Sequence, residues 1–222
     1  MKRAIGIDLG TTNSCASYYK YVEGQHSGAP IVIPMNGNPT LPSCVSLVNG
    51  EYVVGEESYK QRYLPNTIYS VKRAMGVKEE VSLTDSVTGE TRTLHPKEVS
   101  SIILRSMRET IIKDFGSVDQ VTITVPAYFT ALQKQLTQEA GLLAGFKEVS
   151  IINEPTAASL AYQLETTDKT ETVLVFDLGG GTFDVAVCEL IPKTDDLPNE
   201  EEDIFGSFYG LDEEQKHLHT QL

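Results

Sequence analysis

The stretch that says most about the fold is Ile5-Gly-Ile-Asp-Leu-Gly-Thr-Thr12, near the start of the chain. A second stretch, Leu174-Val-Phe-Asp-Leu-Gly-Gly-Gly-Thr182, repeats its plan. Each has a short apolar run, then Asp-Leu-Gly, then small or hydroxylated residues. Asp8 and Asp177 occupy the same position in the two copies and lie far apart in the chain. The similarity therefore predicts a repeated strand-and-turn unit rather than a short tandem repeat.

These two turns have the composition of a phosphate site. Small residues after a strand let the backbone approach a ligand and aim successive N–H groups at an anion, and threonine hydroxyls add donors. A carboxylate in the same turn suits a hydrated magnesium ion held between it and phosphate oxygens. A single Asp-Leu-Gly is most often an ordinary hairpin turn. Two copies, each followed by threonine, favour nucleotide phosphates and Mg²⁺.

Two familiar nucleotide loops are excluded by the residues that come after the glycines. No Gly-Lys-Ser/Thr is present at either copy, so neither is a Walker loop. Gly179-Gly-Gly181 leads into the apolar run 183–187, a predicted strand, whereas a dinucleotide fingerprint leads into a helix. The sequence therefore predicts a clamp made of two hairpins.

The elements between the turns predict an α/β fold. An apolar or alternating pattern predicts strands at 4–8, 14–19, 31–33, 44–48, 121–125, 149–152, 172–177 and 185–190. Helical spacing and terminal Pro or Gly residues predict helices at 96–115, 131–144 and 155–164, and a further helix that is capped at Asn66-Thr67 and stopped by Gly76. The loop 35–42 predicts a boundary into an inserted lobe. Alternation of strand and helix after residue 120 indicates parallel strands.

Two charged residues are further candidates for the site. Lys72 follows Val71 in the helix predicted before Gly76, where burial statistics favour an ordinary surface lysine. Glu154 comes directly after the strand 149–152 and before Pro155, at the sheet edge where α/β proteins bind ligands. A helix N-cap is an equally good interpretation of Glu154.

Composition limits the classes of function. The 222 residues carry a net charge of −13, and nine acidic residues against one lysine lie between 194 and 222. The body has no basic stripe, which argues against nucleic acid and anionic membranes as partners. Cys15, Cys44 and Cys188 are too few and too far apart for a disulfide framework or a C-x-x-C metal site, and no stretch has the length of a membrane span. We expect a reduced, cytoplasmic compartment and a divergent acidic tail, 193–222, that is poorly ordered.

Four segments of the chain form a recognisable set: Gly6-Ile-Asp-Leu-Gly-Thr-Thr-Asn-Ser14, Val125-Pro-Ala-Tyr-Phe129, Ile151-Ile-Asn-Glu-Pro-Thr-Ala-Ala158 and Phe176-Asp-Leu-Gly-Gly-Gly-Thr-Phe-Asp184. Together they resemble the seventy-kilodalton heat-shock chaperones of the DnaK type. Their order and spacing match as well, over about residues 2–187. One departure is Lys134, which stands where the family usually has arginine.

The resemblance implies an actin-like, ribonuclease H-like ATPase fold in two lobes. It assigns 1–34 and 112–166 to the core of the first lobe, 35–111 to an inserted α+β subdomain and 167–192 to the start of the second lobe. Nothing after about Leu190 resembles the family, so we expect the first lobe plus one hairpin of the second, without the adenosine pocket or the peptide-binding domain.

The resemblance also implies a role for each site residue. The metal ligands would be Asp8, Asp177 and Asp184. The ATP or ADP phosphates would contact Gly10, Thr11, Thr12, Asn13, Gly179, Gly180, Gly181 and Thr182. The catalytic residues would be Lys72, Glu154, Asp177 and Thr182: Lys72 stabilises developing charge, while the others position and deprotonate the attacking water.

These features predict an ATP-binding, ATPase-type portion of a chaperone for protein folding and the stress response, weak or inactive on its own. J-domain co-chaperones and nucleotide-exchange factors are the partners that the resemblance implies. A non-catalytic fragment that binds phosphate or co-chaperones is the alternative. A sugar kinase of the actin-like superfamily is disfavoured because the Glu-Pro-Thr-Ala and Val-Pro-Ala-Tyr segments are chaperone-like.

Overall fold

The computed structural model describes residues 5–21, 28–163, 169–181 and 183–190. The strands are β1 Ile5–Asp8, β2 Asn13–Tyr21, β3 Gly28–Ile33, β4 Leu41–Pro42, β5 Cys44–Val48, β6 Glu51–Val54, β7 Thr67–Tyr69, β8 Val81–Thr84, β9 Thr91–Leu94, β10 Gln120–Val125, β11 Glu148–Asn153, β12 Glu171–Leu178 and β13 Phe183–Leu190. The helices are α1 Glu56–Tyr59, α2 Pro96–Phe115, α3 Ala131–Leu143 and α4 Glu154–Gln163, with a 3₁₀ turn at Val71–Ala74.

The main sheet sets the position of the candidate site. Its strand order is β11-β10-β1-β2-β3, and β4 pairs with β2. The strands β1, β10 and β11 run parallel, with Ile7 opposite Ile123 and Ile123 opposite Ile151. The carboxyl ends of these three strands therefore share one edge, where β1 delivers Asp8 and β11 leads into Glu154. The mixed α/β class and the predicted parallel strands are confirmed.

Two long helices cover this sheet. Along β10 the side chains of Val121, Ile123 and Val125 are buried at every second position, as expected for a strand packed on its core. Helix α2 begins with Pro96 after His95, whose ring accepts from the backbone N–H of Lys97 in a capping box, and it ends before Gly116 at φ 76°. Helix α3 is likewise capped by Thr130. One core thus joins the sheet to both helices.

The segment between β3 and α2 builds two smaller sheets. Strands β6, β5 and β7 form one, and β8 pairs with β9 in the other. The Asp85 carboxylate joins them: it accepts from the backbone N–H groups of Gly50 at 2.6 Å, Val87 at 2.7 Å and Thr88 at 3.2 Å. The strands β6, β8 and β9 were absent from the sequence prediction.

The helix predicted to start at Asn66-Thr67 is wrong. Residues Thr67–Tyr69 form β7, in which Ile68 pairs with Val45 of β5. Ser70 then adopts a left-handed conformation, φ 59°, and only a 3₁₀ turn follows. Thr67 and Ile68 are β-branched and favour a strand. Pairing with β5 stabilises this strand more than the helical spacing of the apolar residues stabilises a helix.

The hairpin of β12 and β13 stands apart from the main sheet. The two strands are antiparallel, with Asp177 opposite Asp184, and α4 packs against both of them. One face carries apolar side chains that remain exposed.

Three further predictions concern the acidic tail, membrane spans and the cysteines. The predicted acidic tail, 193–222, lies outside the described residues, as does Thr182. In the ranges that the structure describes, no helix is long and apolar enough to cross a membrane. Cys15, Cys44 and Cys188 are free. The actin-like pairing of two lobes and the domain boundaries stay predictions.

Candidate functional site: two glycine-rich turns

The first turn is held rigidly at the end of β1. Asp8 is exposed and accepts a hydrogen bond of 2.9 Å from the Thr124 hydroxyl on the neighbouring strand β10. Ser43 fastens the turn from the other side: its hydroxyl donates to the Gly10 carbonyl at 2.7 Å and its N–H to the Thr12 carbonyl at 2.8 Å. Any side chain at Gly10 would collide with the carbonyl of Asn13. The sequence therefore needs glycine here for a close backbone approach.

The second turn, Gly179–Gly181, comes to rest against the first. A β-carbon on Gly180 would run into the Thr12 side chain, 2.9 Å from its Cβ and closer still to its hydroxyl. The two echoes of the sequence, separated by most of the chain, are in van der Waals contact. The structure thus brings together the turns of the two hairpins that the repeated pattern predicted, and their role as a clamp on a ligand stays a prediction.

Lys72 and Glu154 form a buried ion pair beside the turns. The two side chains keep only 8% and 11% of their surface exposed. Lys72 is therefore not an ordinary surface lysine. The Glu154 carboxylate accepts a hydrogen bond from its ammonium group. Burial raises the pKa of Glu154, and the negative charges of Asp8 and Asp177 raise it further, against the opposing effect of Lys72.

A concave space lies between these groups. It measures about 330 Å³ and has carboxylates from Asp8, Glu154 and Asp177 in its wall. The rest of the wall comes from Thr124, Ala157, Ala158, Val175 and Phe176. Ligand pockets begin at about this volume. Small side chains on α4 leave room here for a ligand group near the carboxylates.

The third predicted metal ligand, Asp184, lies across the hairpin from Asp177. Burial raises the pKa of Asp184, and the nearby Asp177 raises it too. Its buried Oδ2 atom has no hydrogen-bond partner among the described residues. A cation would relieve both the repulsion between the carboxylates and this unmet acceptor.

The carboxylates at the turns are the donors available to the expected magnesium ion. The described residues hold no group of three or more His, Cys, Asp or Glu side chains arranged to bind a metal. Magnesium is commonly held by one or two carboxylates, with waters and phosphate oxygens completing the shell. Asp8 on one turn and either Asp177 or Asp184 on the other would supply one or two carboxylates in that mode, and the ligand would supply part of the coordination.

Sequence reasoning missed two residues at the clamp. Arg73 lies against Gly181, and Tyr128 lies within the electrostatic reach of Arg73, Asp184 and Glu154. Neither residue belongs to the repeated pattern. The Val-Pro-Ala-Tyr motif contains Tyr128 and was the available signal for it, whereas Arg73 gave none beyond its position next to Lys72. Of the predicted phosphate contacts, Thr11 is buried and Asn13, which begins β2, is exposed.

Comparison with known protein families finds a match over most of the chain. The family model described as Hsp70 protein matches residues 4–192, a span that contains both turns, the Lys72–Glu154 pair and the β12–β13 hairpin.

Proposed function

The chain belongs to the Hsp70 protein family, and from this premise we propose that its clamp binds the phosphates of ATP or ADP with Mg²⁺ as part of a chaperone ATPase. Family membership supports the chaperone, ATP-binding and ATPase character. The observation that carries the proposal is the contact between Gly180 and Thr12, which brings the two glycine-rich turns close enough for one phosphate chain to reach both.

The turns would bind the phosphates through backbone and hydroxyl donors. Glycines at 10, 179, 180 and 181 leave the backbone N–H groups accessible, and the hydroxyls of Thr11 and Thr12 add donors. Thr182 would extend this set on the grounds of the sequence alone. Because the fold holds these donors in position before the ligand binds, they would also stabilise the negative charge that develops in phosphoryl transfer.

Magnesium would neutralise phosphate charge in this site, and Asp8, Asp177 and Asp184 are the residues that would hold it. Asp8 is fixed by its hydrogen bond from Thr124. The apolar or small surroundings of the other two raise the cost of leaving them unpaired, which favours cation binding.

Glu154 is the candidate general base. A base works best when its pKa approaches the working pH, and burial shifts the pKa of Glu154 in that direction. Lys72 holds the carboxylate in place through the buried pair. Asp177 lines the same cavity and is the second group that would orient water.

We further propose weak binding with little preference for the base. The residues of the clamp are glycines, hydroxyls, carboxylates and cations, which recognise phosphate, metal and water. Asp8 and the residues Gly179–Gly181 are exposed, so water has access to the site and turnover should be slow. This exposure also favours the second candidate, a non-catalytic fragment that binds phosphate or co-chaperones. J-domain and nucleotide-exchange partners, and a cytoplasmic location, remain proposals from the resemblance.

Single-turnover ATP hydrolysis by the purified chain, with and without Mg²⁺, tests the catalytic proposal. We expect slow, Mg²⁺-dependent release of phosphate, and a loss of about 10² to 10⁴-fold in Glu154→Gln. The matched control is Glu139→Gln, because Glu139 also pairs with a lysine, Lys97, at 2.6 Å but far less buried. Equal rates in Glu154→Gln and the wild type would refute the catalytic role. Binding without any hydrolysis would support the non-catalytic candidate.

A further inference from the structure

The guanidinium group of Arg73 is packed on the second glycine-rich turn. A β-carbon on Gly181 would lie 2.7 Å from Nε of Arg73 and 2.8 Å from its Cζ, and closer still to Nη2. Real β-carbons essentially never approach a neighbour this closely. The absence of a side chain at 181 is therefore what lets the guanidinium reach the backbone of the turn.

The local backbone conformation makes Lys72 point into the interior and its neighbour Arg73 point to the surface. Ser70, in its left-handed conformation, starts the 3₁₀ turn Val71–Ala74, in which successive side chains lie about 120° apart. Lys72 consequently enters the interior, where it pairs with Glu154, while Arg73 emerges exposed at the clamp.

The two cations also differ in what neutralises them. The charge of Lys72 is compensated by Glu154. The Arg73 side chain has neither a hydrogen bond nor an ion pair with any residue in the described ranges. Arg73 lies near Tyr128: the pKa of Tyr128 is raised by burial and further by the charges of Asp184 and Glu154, and it is lowered by Arg73. Arg73 is thus a positive charge beside the second turn that no described residue pairs with.

We infer that Arg73 binds the phosphate oxygens of the ligand at Gly181. This inference rests on the proposed function. A planar guanidinium offers parallel N–H donors that match two phosphate oxygens, an arrangement that a lysine ammonium cannot reproduce. The exposed side chain can reach a ligand without breaking any contact that stabilises the fold.

Calorimetric titration with magnesium tripolyphosphate and magnesium ATP tests the inference. In Arg73→Ala both ligands should bind at least tenfold more weakly, and Arg73→Lys should lie between that variant and the wild type. Lys78→Ala is the control, because Lys78 is an exposed cation on the neighbouring surface that also includes Arg73. It should bind within twofold of the wild type. Thermal unfolding of Arg73→Ala should match the wild type, which separates lost binding from lost folding.

Wild-type affinity retained in Arg73→Ala, or an equal loss in Lys78→Ala, would overturn the inference while leaving the clamp intact. A full recovery of affinity in Arg73→Lys would overturn the claim for two parallel hydrogen bonds. A wild-type chain that binds neither ligand would refute the proposed phosphate site and the inference together.

Discussion

Strand β10 of the main sheet and the hairpin of β12 and β13 show the same alternating sequence pattern with opposite results. In β10 the alternate apolar side chains, such as Ile123, are fully buried beneath the helices. In the hairpin the apolar set faces outward, and Asp177 and Asp184 occupy the half-buried face. The outward set is 51–80% exposed and consists of Leu174, Phe176, Leu178, Phe183, Val185 and Val187.

The difference teaches that alternation fixes which residues share a face, and that the neighbouring elements decide which face is buried. Helix α3 packs on the apolar side of β10, and α2 belongs to the same buried core. Helix α4 covers the side of the hairpin that carries the carboxylates, and thereby directs Asp177 to the clamp. The alternating pattern alone would place the apolar side chains on the covered face of the hairpin. The structure instead has Asp177 and Asp184 on that face.

The largest expected difference is in the free energy of unfolding, between a substitution in the core and one in the hairpin. We expect Ile123→Ala to lower the free energy of unfolding by about 2–5 kcal/mol, because the deletion leaves a cavity in a fully buried site. Leu174→Ala, at a side chain that is 54% exposed, should cost less than about 1 kcal/mol. Urea unfolding at a protein concentration too low for self-association measures both. Equal losses would mean that another part of the chain covers the outward face of the hairpin.

The exposed face should associate with a second copy of the chain. Phe176 and Phe183 stack on it with ring centroids 6.2 Å apart. Six large side chains, at on the order of 100 Å² each, approach the roughly 800 Å² per partner of a standard interface. Monomeric proteins rarely leave such a patch open.

Sedimentation velocity over a range of concentrations tests this association. The double variant Phe176→Thr, Val185→Thr keeps strand-forming residues at a cross-strand pair and should dimerise at least tenfold more weakly. Val77→Thr, at an exposed residue outside the hairpin, should dimerise as the wild type does. A wild type that remains monomeric throughout would show that something other than a second copy covers the face.

Two aspartates extend the comparison to pH. Asp85 is buried, which alone would raise its pKa, but backbone N–H groups, among them those of Gly50 and Val87, lower its pKa from 3.8 to about 2. Its contribution to stability is therefore present above pH 3.8 and lost as the pH falls towards 2. Asp184 has a raised pKa, so its effect has the opposite sign: the folded state is favoured by protonation and disfavoured as the pH rises through that raised value.

Thermal unfolding at pH 7 and pH 3, with a chelator present, checks these signs. Asp85→Asn should be less stable than the wild type at pH 7, with the difference shrinking on acidification. Asp184→Asn should be as stable as the wild type or more stable at pH 7. If Asp184→Asn were the more damaging of the two at pH 7, the electrostatic contrast between the regions would be wrong.

Much of the fold was predictable because its long elements carry their own signals. The run 121–125 alternates, and α2 has Pro96 at its start and Gly116 after its end. The short strands β6, β8 and β9 have only four residues each, and β6 shows no alternation of burial, so a single sequence gives little sign of them. The wrong helix at 67–75 has the same cause, because β7 exists only through its pairing with β5.

The candidate site was predictable where it depends on local chemistry. The two Asp-Leu-Gly turns can be recognised in the sequence without any knowledge of tertiary structure. The environment of Lys72 was not predictable, since its partner Glu154 is 82 residues away in the chain. Arg73 was missed for the same reason: only the folded hairpin brings Gly181 to it.

The central claim is that the two turns bind one phosphate chain together. The most direct test is the dissociation constant for magnesium tripolyphosphate in the wild type, Gly180→Ala and Gly6→Ala. A methyl group at 180 runs into Thr12 and should separate the turns, whereas one at Gly6 meets Ser17 at an ordinary 3.6 Å. We predict at least tenfold weaker binding in Gly180→Ala, about 1.4 kcal/mol, and near wild-type binding in Gly6→Ala. Unchanged affinity in Gly180→Ala would contradict the claim, because it would show that phosphate binding does not depend on the contact between the two turns.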